Sequence, residues 1–87
     1  MSKEKGHLAD LISGLKRQRD ELALKIHLGK ADAKEEWDKL TRKLDDLTRE
    51  YEPLKGAVGE TAENLLAGLK LMTEEVQKGF NRIRKSL

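Results

Sequence analysis

The chain has 87 residues, of which 39% are charged and 37% apolar, and it contains no cysteine. Disulfides, thiolate catalysis and cysteine-ligated metals are therefore excluded, and the length suits one domain. The net charge of +2 divides into +3 over residues 1–30, −3 over residues 31–60 and +2 over residues 61–87, unlike the sustained basic face of a nucleic-acid binder. The first five residues lack the apolar core of a secretion signal, and no apolar run is long enough to cross a bilayer. We therefore expect a cytoplasmic protein.

Apolar residues recur at gaps of three and four along most of the chain, which is the α-helical period. From Trp37 to Val58 the gaps alternate strictly between three and four, as in the heptads of a coiled coil. We call this set the apolar seam, and its second half is expected to form the core: Trp37, Leu40, Leu44, Leu47, Tyr51, Leu65, Leu69, Met72, Val76, Phe80 and Ile83. Because residues that favour strands are scarce, the seam predicts an all-α fold, with one helical domain over residues 1–87.

The first predicted helix spans about residues 5–52 and continues through Gly29. The seam keeps its spacing across this glycine, and one glycine inside a helix costs only about 1 kcal/mol. The alternative is a break near residues 28–32, with Gly29 just past a helix end and Asp32 as the N-cap of the next helix. The two interpretations are a helical hairpin with a long first helix, which the spacing favours, and a monomeric three-helix bundle.

The main turn is predicted over residues 53–60, where Pro53, Gly56 and Gly59 lie close together. Proline removes an amide donor and disfavours helix at the residue before it. A last helix is expected over about residues 61–86, with Thr61 as its N-cap. Basic residues near its C-terminus agree with the helix dipole.

In the hairpin, the last helix is too short to cover the N-terminal half of the first one. An apolar stripe left exposed on that half indicates an interface. The stripe comprises Leu8, Leu11, Ile12, Leu15, Leu22 and Ile26. We therefore expect two hairpins to associate into a larger helical bundle, as a homo-oligomer. The three-helix alternative buries the same stripe within one chain.

Residues with catalytic or ligand-binding chemistry are sparse. His7 and His27 are the only imidazoles, and lone histidines this far apart in the sequence are usually surface residues and not the ligands of one metal site. Gly56 and Gly59 are not followed by the lysine and hydroxyl of a phosphate-binding loop. The sequence therefore predicts no enzyme, no catalytic or metal-binding residue and no cofactor.

An anionic membrane is the alternative partner. The last helix carries an apolar face and ends in a basic tip, residues 80–87, and amphipathic helices of this kind can lie on lipid surfaces. A second basic cluster, residues 16–19, has no interleaved aromatic side chain for base stacking, so nucleic acid is not expected.

Two segments carry a resemblance: residues 21–37, which read ELALKIHLGKADAKEEW, and residues 79–85, which read GFNRIRK. Over roughly residues 20–87 the chain resembles a diffuse group of small, uncharacterised bacterial coiled-coil proteins, some of them described as stress-associated. The resemblance implies a cytoplasmic helical protein without catalytic residues. Together with the seam, it predicts a non-enzymatic interaction or scaffold module that acts by coiled-coil self-association, in a stress response. The alternative function is a peripheral lipid-binding protein.

Overall fold

The computed structural model describes the backbone of residues 2–87 and the side chains of residues 5–87. Three α-helices follow one another: α1, Ser2–Ala23; α2, Ala31–Gly56; and α3, Gly59–Ser86. One turn of 3₁₀ helix, Ile26–Leu28, lies between the first two. Each helix packs on both others, and the bundle measures 45 × 17 × 17 Å. The all-α expectation is confirmed.

The predicted continuous helix over residues 5–52 is wrong, because the chain leaves the helix after Ala23 and enters α2 at Ala31. Gly29 lies between them in extended backbone, with φ −80° and ψ 165°, and Lys30 takes the N-cap position of α2 in place of Asp32. The reversal lets α1 pack on both other helices, which buries Leu8, Ile12, Leu15 and Leu22. Burying such a side chain contributes about 1.5–3 kcal/mol, whereas intrinsic helix preferences are below about 1 kcal/mol per residue. Packing therefore outweighs the helix preference of residues 24–30.

The second connection is shorter than predicted. Helix α2 continues through Pro53 to Gly56, and only Ala57 and Val58 separate it from α3. Pro53 lies on the exposed side of the helix, while its neighbour Leu54 is completely buried, so packing of Leu54 favours continuation. Helix α3 begins at Gly59, two residues before the predicted cap. Gly59 has φ +62°, a left-handed conformation that glycine adopts without steric cost.

Candidate interaction surfaces

The predicted seam residues hold the bundle together. Buried in the core are Leu40, Leu44, Leu47, Leu69, Val76, Phe80 and Ile83, and packed against it are Trp37, Tyr51, Leu65 and Met72. The Trp37 and Phe80 rings join α2 to α3, with centroids 5.8 Å apart. At the start of α3 the more deeply buried leucine is Leu66, one residue after the seam position Leu65. The apolar face of α3 is thus core, and it is not free to lie on a membrane while the bundle is closed.

The N-terminal stripe is divided by the fold. Leu8, Ile12, Leu15 and Leu22 are buried within the chain, and Ile26 packs against the same core. These five residues therefore do not form the exposed interface that the hairpin interpretation assigned to them. Leu11 alone keeps 39% of its surface exposed. The three-helix alternative accounts for this distribution, because it places two other helices against α1.

Leu11 stands beside a groove between α1 and α3. The groove has a volume of about 340 Å³ and is lined by Leu11, Leu15, Thr73, Glu74, Gln77 and Lys78. Leu71 is 62% exposed, and it lies three residues before Glu74 and seven before Lys78, on the same face of α3. We call Leu11, Leu71, Glu74 and Lys78, with the groove between them, the Leu11 surface. It combines two exposed leucines with one acidic and one basic side chain.

A reciprocal amide pair fixes one wall of this groove. The Nε2 atom of Gln18 donates to Oε1 of Gln77 at 2.8 Å, and Nε2 of Gln77 donates back to Oε1 of Gln18 at 2.9 Å. The Arg84 guanidinium also donates to Oε1 of Gln18, at 3.2 Å. Since Gln77 lines the groove, these hydrogen bonds hold α1 and α3 in one register along it.

Charged side chains on the face between α2 and α3 are already paired within the chain. Two nitrogens of Arg82 donate to Oε1 of Glu36, at 2.9 and 2.6 Å, and Lys43 donates to Glu75. The hydrogen bond and the positive charge of Lys43 lower the pKa of Glu75. By contrast, no side chain of residues 5–87 forms a salt bridge with Glu74 or Lys78. The Leu11 surface therefore offers two charges to another molecule.

A second apolar surface lies at the end of the bundle where α1 turns into α2. Leu24 and Leu28 are each 76% exposed, and Leu87, just after α3, is 44% exposed. A cavity of about 320 Å³ at this end is lined by Glu21, Leu22, Lys25, Leu28, Arg84 and Leu87. Sequence reasoning missed Leu24 and Leu28 as surface residues. Both lie outside the three-and-four spacing of the seam, and that departure is the signal that could have identified them as exposed.

The histidines are both exposed and lie on separate elements, His7 in α1 and His27 in the 3₁₀ turn. Within the described part of the chain, no three His, Asp or Glu side chains gather in an arrangement that could hold a metal ion. Nor does any helix of residues 2–87 have the length and apolar character needed to span a membrane.

Comparison of the chain with protein-family models, with curated proteins and with solved structures finds no match in any of the three.

Proposed function

We propose that this protein is a non-enzymatic helical interaction module that self-associates through the Leu11 surface. The observation that carries the proposal is exposed Leu11 on the wall of the groove between α1 and α3. A second exposed leucine, Leu71, lies on the face of α3 that carries the groove residues Glu74 and Lys78. The core already buries fourteen side chains, so Leu11 and Leu71 are not needed to complete it. Single exposed leucines are common on proteins, but two beside an apolar-lined groove indicate a contact surface.

The charges of this surface favour a second copy of the chain as its occupant. Glu74 and Lys78 are one helical turn apart on α3. When two copies meet across a twofold axis perpendicular to α3, their α3 helices run antiparallel, and Glu74 of each copy can then face Lys78 of the other. Two such ion pairs fix the register, while the leucines supply the buried apolar area.

Of the predicted N-terminal stripe, only Leu11 belongs to the interface proposed here. The proposal also includes a cytoplasmic location, a coiled-coil type of contact and a role in a stress response. These three parts rest on the sequence and on its resemblance to other proteins. The fold supports the proposal by providing a three-helix frame, in which the Gln18–Gln77 pair holds α1 and α3 in one register along the groove.

The test is the mass in solution, measured by light scattering during gel filtration. We expect the wild-type protein at micromolar concentration to have twice the 9.9 kDa mass of one chain. Leu11→Glu and Leu71→Glu each place a carboxylate in the contact and should return the mass to 9.9 kDa, because an unpaired buried charge is strongly unfavourable. Circular dichroism should show that both variants remain helical.

The matched control is Leu24→Glu, which changes a more exposed leucine directly after the end of α1. It should leave the mass of the wild-type assembly unchanged. A wild-type protein with the mass of one chain would refute the proposal. If only Leu24→Glu dissociated the assembly, self-association would use a different surface.

A further inference from the structure

The end of the bundle formed by the α1–α2 connection and the C-terminus of α3 has a composition unlike the rest of the surface. It carries Leu24, Leu28 and Leu87, all exposed, and four basic residues, Lys25, Lys30, Arg84 and Lys85. We call these seven residues the leucine tip. We propose that the closed bundle docks on anionic membranes through the leucine tip, an activity beyond the proposed self-association and independent of the Leu11 surface.

Contacts within the chain bring the two halves of the tip together. Leu28 of the connection and Leu87 of the C-terminus line the same cavity, together with Lys25 and Arg84. At the back of the tip, a Cβ atom added to Gly29 would lie 3.1 Å from Cδ2 of Leu87. Leu28 and Leu87 therefore lie together with Lys25 and Arg84, and the other three tip residues are their near neighbours along the chain: Leu24, Lys30 and Lys85.

Charge at the tip is of one sign over its two segments. Residues 22–31 and 83–87 contain Lys25, Lys30, Arg84 and Lys85 and no Asp or Glu. Two acidic residues border these segments: Glu21, on the wall of the tip's cavity, and Asp32, two residues after Lys30. The other end of the bundle differs, because among the described side chains of residues 5–87 it mixes Glu52 and Glu60 with Lys55 around one large exposed apolar residue, Val58.

An anionic membrane surface has a layer of negatively charged headgroups above an apolar acyl-chain region. The lysine and arginine side chains of the tip suit the first, and its exposed leucines suit the second. Basic side chains within a Debye length of anionic headgroups each contribute about 1 kcal/mol to binding, roughly a fivefold change in affinity. Leucines that protrude beyond them enter the boundary with the acyl chains, as in interfacial helices. A second copy of the tip would be repelled by its equal charge, and the tip has no aromatic side chain on which nucleic-acid bases would stack.

Docking through the tip does not require the bundle to open. The apolar face of α3 stays in the core, where Phe80 and Ile83 are almost completely buried, and the three tip leucines are exposed in the closed fold. This separates the proposal from a mechanism in which α3 leaves the bundle and lies on the lipid.

The experiment is co-sedimentation of the full chain with vesicles of phosphatidylcholine alone and of phosphatidylcholine mixed with phosphatidylserine, at low and physiological salt. We expect binding only to the mixed vesicles, weakened by salt. The double variant Leu24→Ser with Leu28→Ser should bind about tenfold more weakly or worse. Lys25→Glu should cause a loss of at least about tenfold, since reversal changes the local charge by two.

Two control variants carry the same kinds of change elsewhere. Val58→Ser removes an exposed apolar side chain at the opposite end, about 39 Å away along α2, and Arg42→Glu reverses a charge at the middle of that helix. Both should bind like the wild-type protein. All five altered positions are exposed, so the fold should be retained, as circular dichroism will verify.

Several results would overturn the proposal. One is absence of binding to mixed vesicles at low salt. Another is loss of binding in Lys25→Glu but not in the leucine variant, which would indicate a general attraction to polyanions. A third concerns Trp37, the single tryptophan, which packs against Phe80. Its emission should not change when mixed vesicles are added, and a shift would show that the bundle opens. None of these variants alters the Leu11 surface. Membrane docking through the leucine tip can therefore be refuted while self-association is retained, and self-association can be refuted while membrane docking is retained.

Discussion

Gly79 of α3 packs directly against Leu40 of α2, and replacing it with alanine tests the packing of the bundle. A Cβ atom at this position would lie 2.4 and 2.5 Å from the two methyl carbons of Leu40, and 3.0 Å from its Cγ. Carbon atoms pack best at about 3.5–4.0 Å, so both methyls would have to move by about 1 Å or more. Leu40 is itself buried, so moving its methyl groups disturbs the packing around them.

The expected size of the effect is a balance of two contributions. Overpacking a core by one methyl group costs about 1–3 kcal/mol, while alanine in a helix interior is favoured over glycine by about 1 kcal/mol. We therefore expect Gly79→Ala to lower the free energy of unfolding by up to about 2 kcal/mol. Gly68→Ala is the matched control on the same helix. Nothing lies within 4 Å of its added Cβ, so it should raise the free energy of unfolding by about 0.5–1 kcal/mol.

Urea melts followed by circular dichroism measure both effects, and thermal melts should show a shift of about 4–8 °C per kcal/mol for a domain of this size. A double-mutant cycle with Leu40→Ala isolates the contact, since that change removes the methyls with which the new Cβ collides. In the Leu40→Ala background, Gly79→Ala should become neutral or stabilising. If Gly79→Ala stabilises the otherwise unchanged protein as much as Gly68→Ala does, the close packing of α2 on α3 described here is wrong.

The two connections give further predictions. Gly59→Ala should cost about 1–2 kcal/mol in urea melts, because the left-handed conformation of Gly59 crowds a Cβ atom. Gly56→Ala, three residues earlier and in open space, should be neutral or stabilising; equal losses would argue against the left-handed turn. Lys30→Ser should stabilise by about 1 kcal/mol by capping α2, which lacks a side-chain cap. Asp32→Ala, in the first turn, should cost at most about 0.3–1 kcal/mol through the helix dipole, and a larger loss would identify Asp32 as the true cap.

Helical periodicity was enough to predict the fold class and the core of α2 and α3. A three-and-four spacing leaves few other ways to bury leucines, so residues such as Leu44 and Leu69 could be assigned to the interior before their partners were known. The break at residues 24–30 could not be predicted in the same way. Spacing across Gly29 is nearly compatible with a continuous helix, and the energy that favours the turn comes from contacts between α1 and two distant helices.

The helix ends at the α2–α3 connection were equally hard to predict from the sequence. Pro53 is a strong signal for a helix end, yet the burial of Leu54 carries α2 three residues beyond the proline. The left-handed glycine that a turn of this kind needs is Gly59, and nothing in the sequence distinguishes it from Gly56. Gly79 is likewise one of several glycines in a helical pattern, and its contact with Leu40 emerges only when α2 and α3 are set side by side.

The change from hairpin to bundle also changes what the candidate surfaces mean. Leu11 and Leu15 are four residues apart on α1, and both belong to the stripe first read as an interface. In the bundle Leu15 is 2% exposed and Leu11 39% exposed, so a carboxylate at residue 15 tests folding, whereas one at residue 11 tests association.

An exposed leucine of a helical bundle is informative once the core has been assigned, because only then can it be said that folding does not require it. Leu71, Leu24 and Leu28 meet that condition as Leu11 does, and their neighbours differ: Glu74 and Lys78 balance each other around the groove, while Lys25 and Arg84 leave the tip positive. The first arrangement suits a copy of the same chain, and the second suits a negatively charged surface.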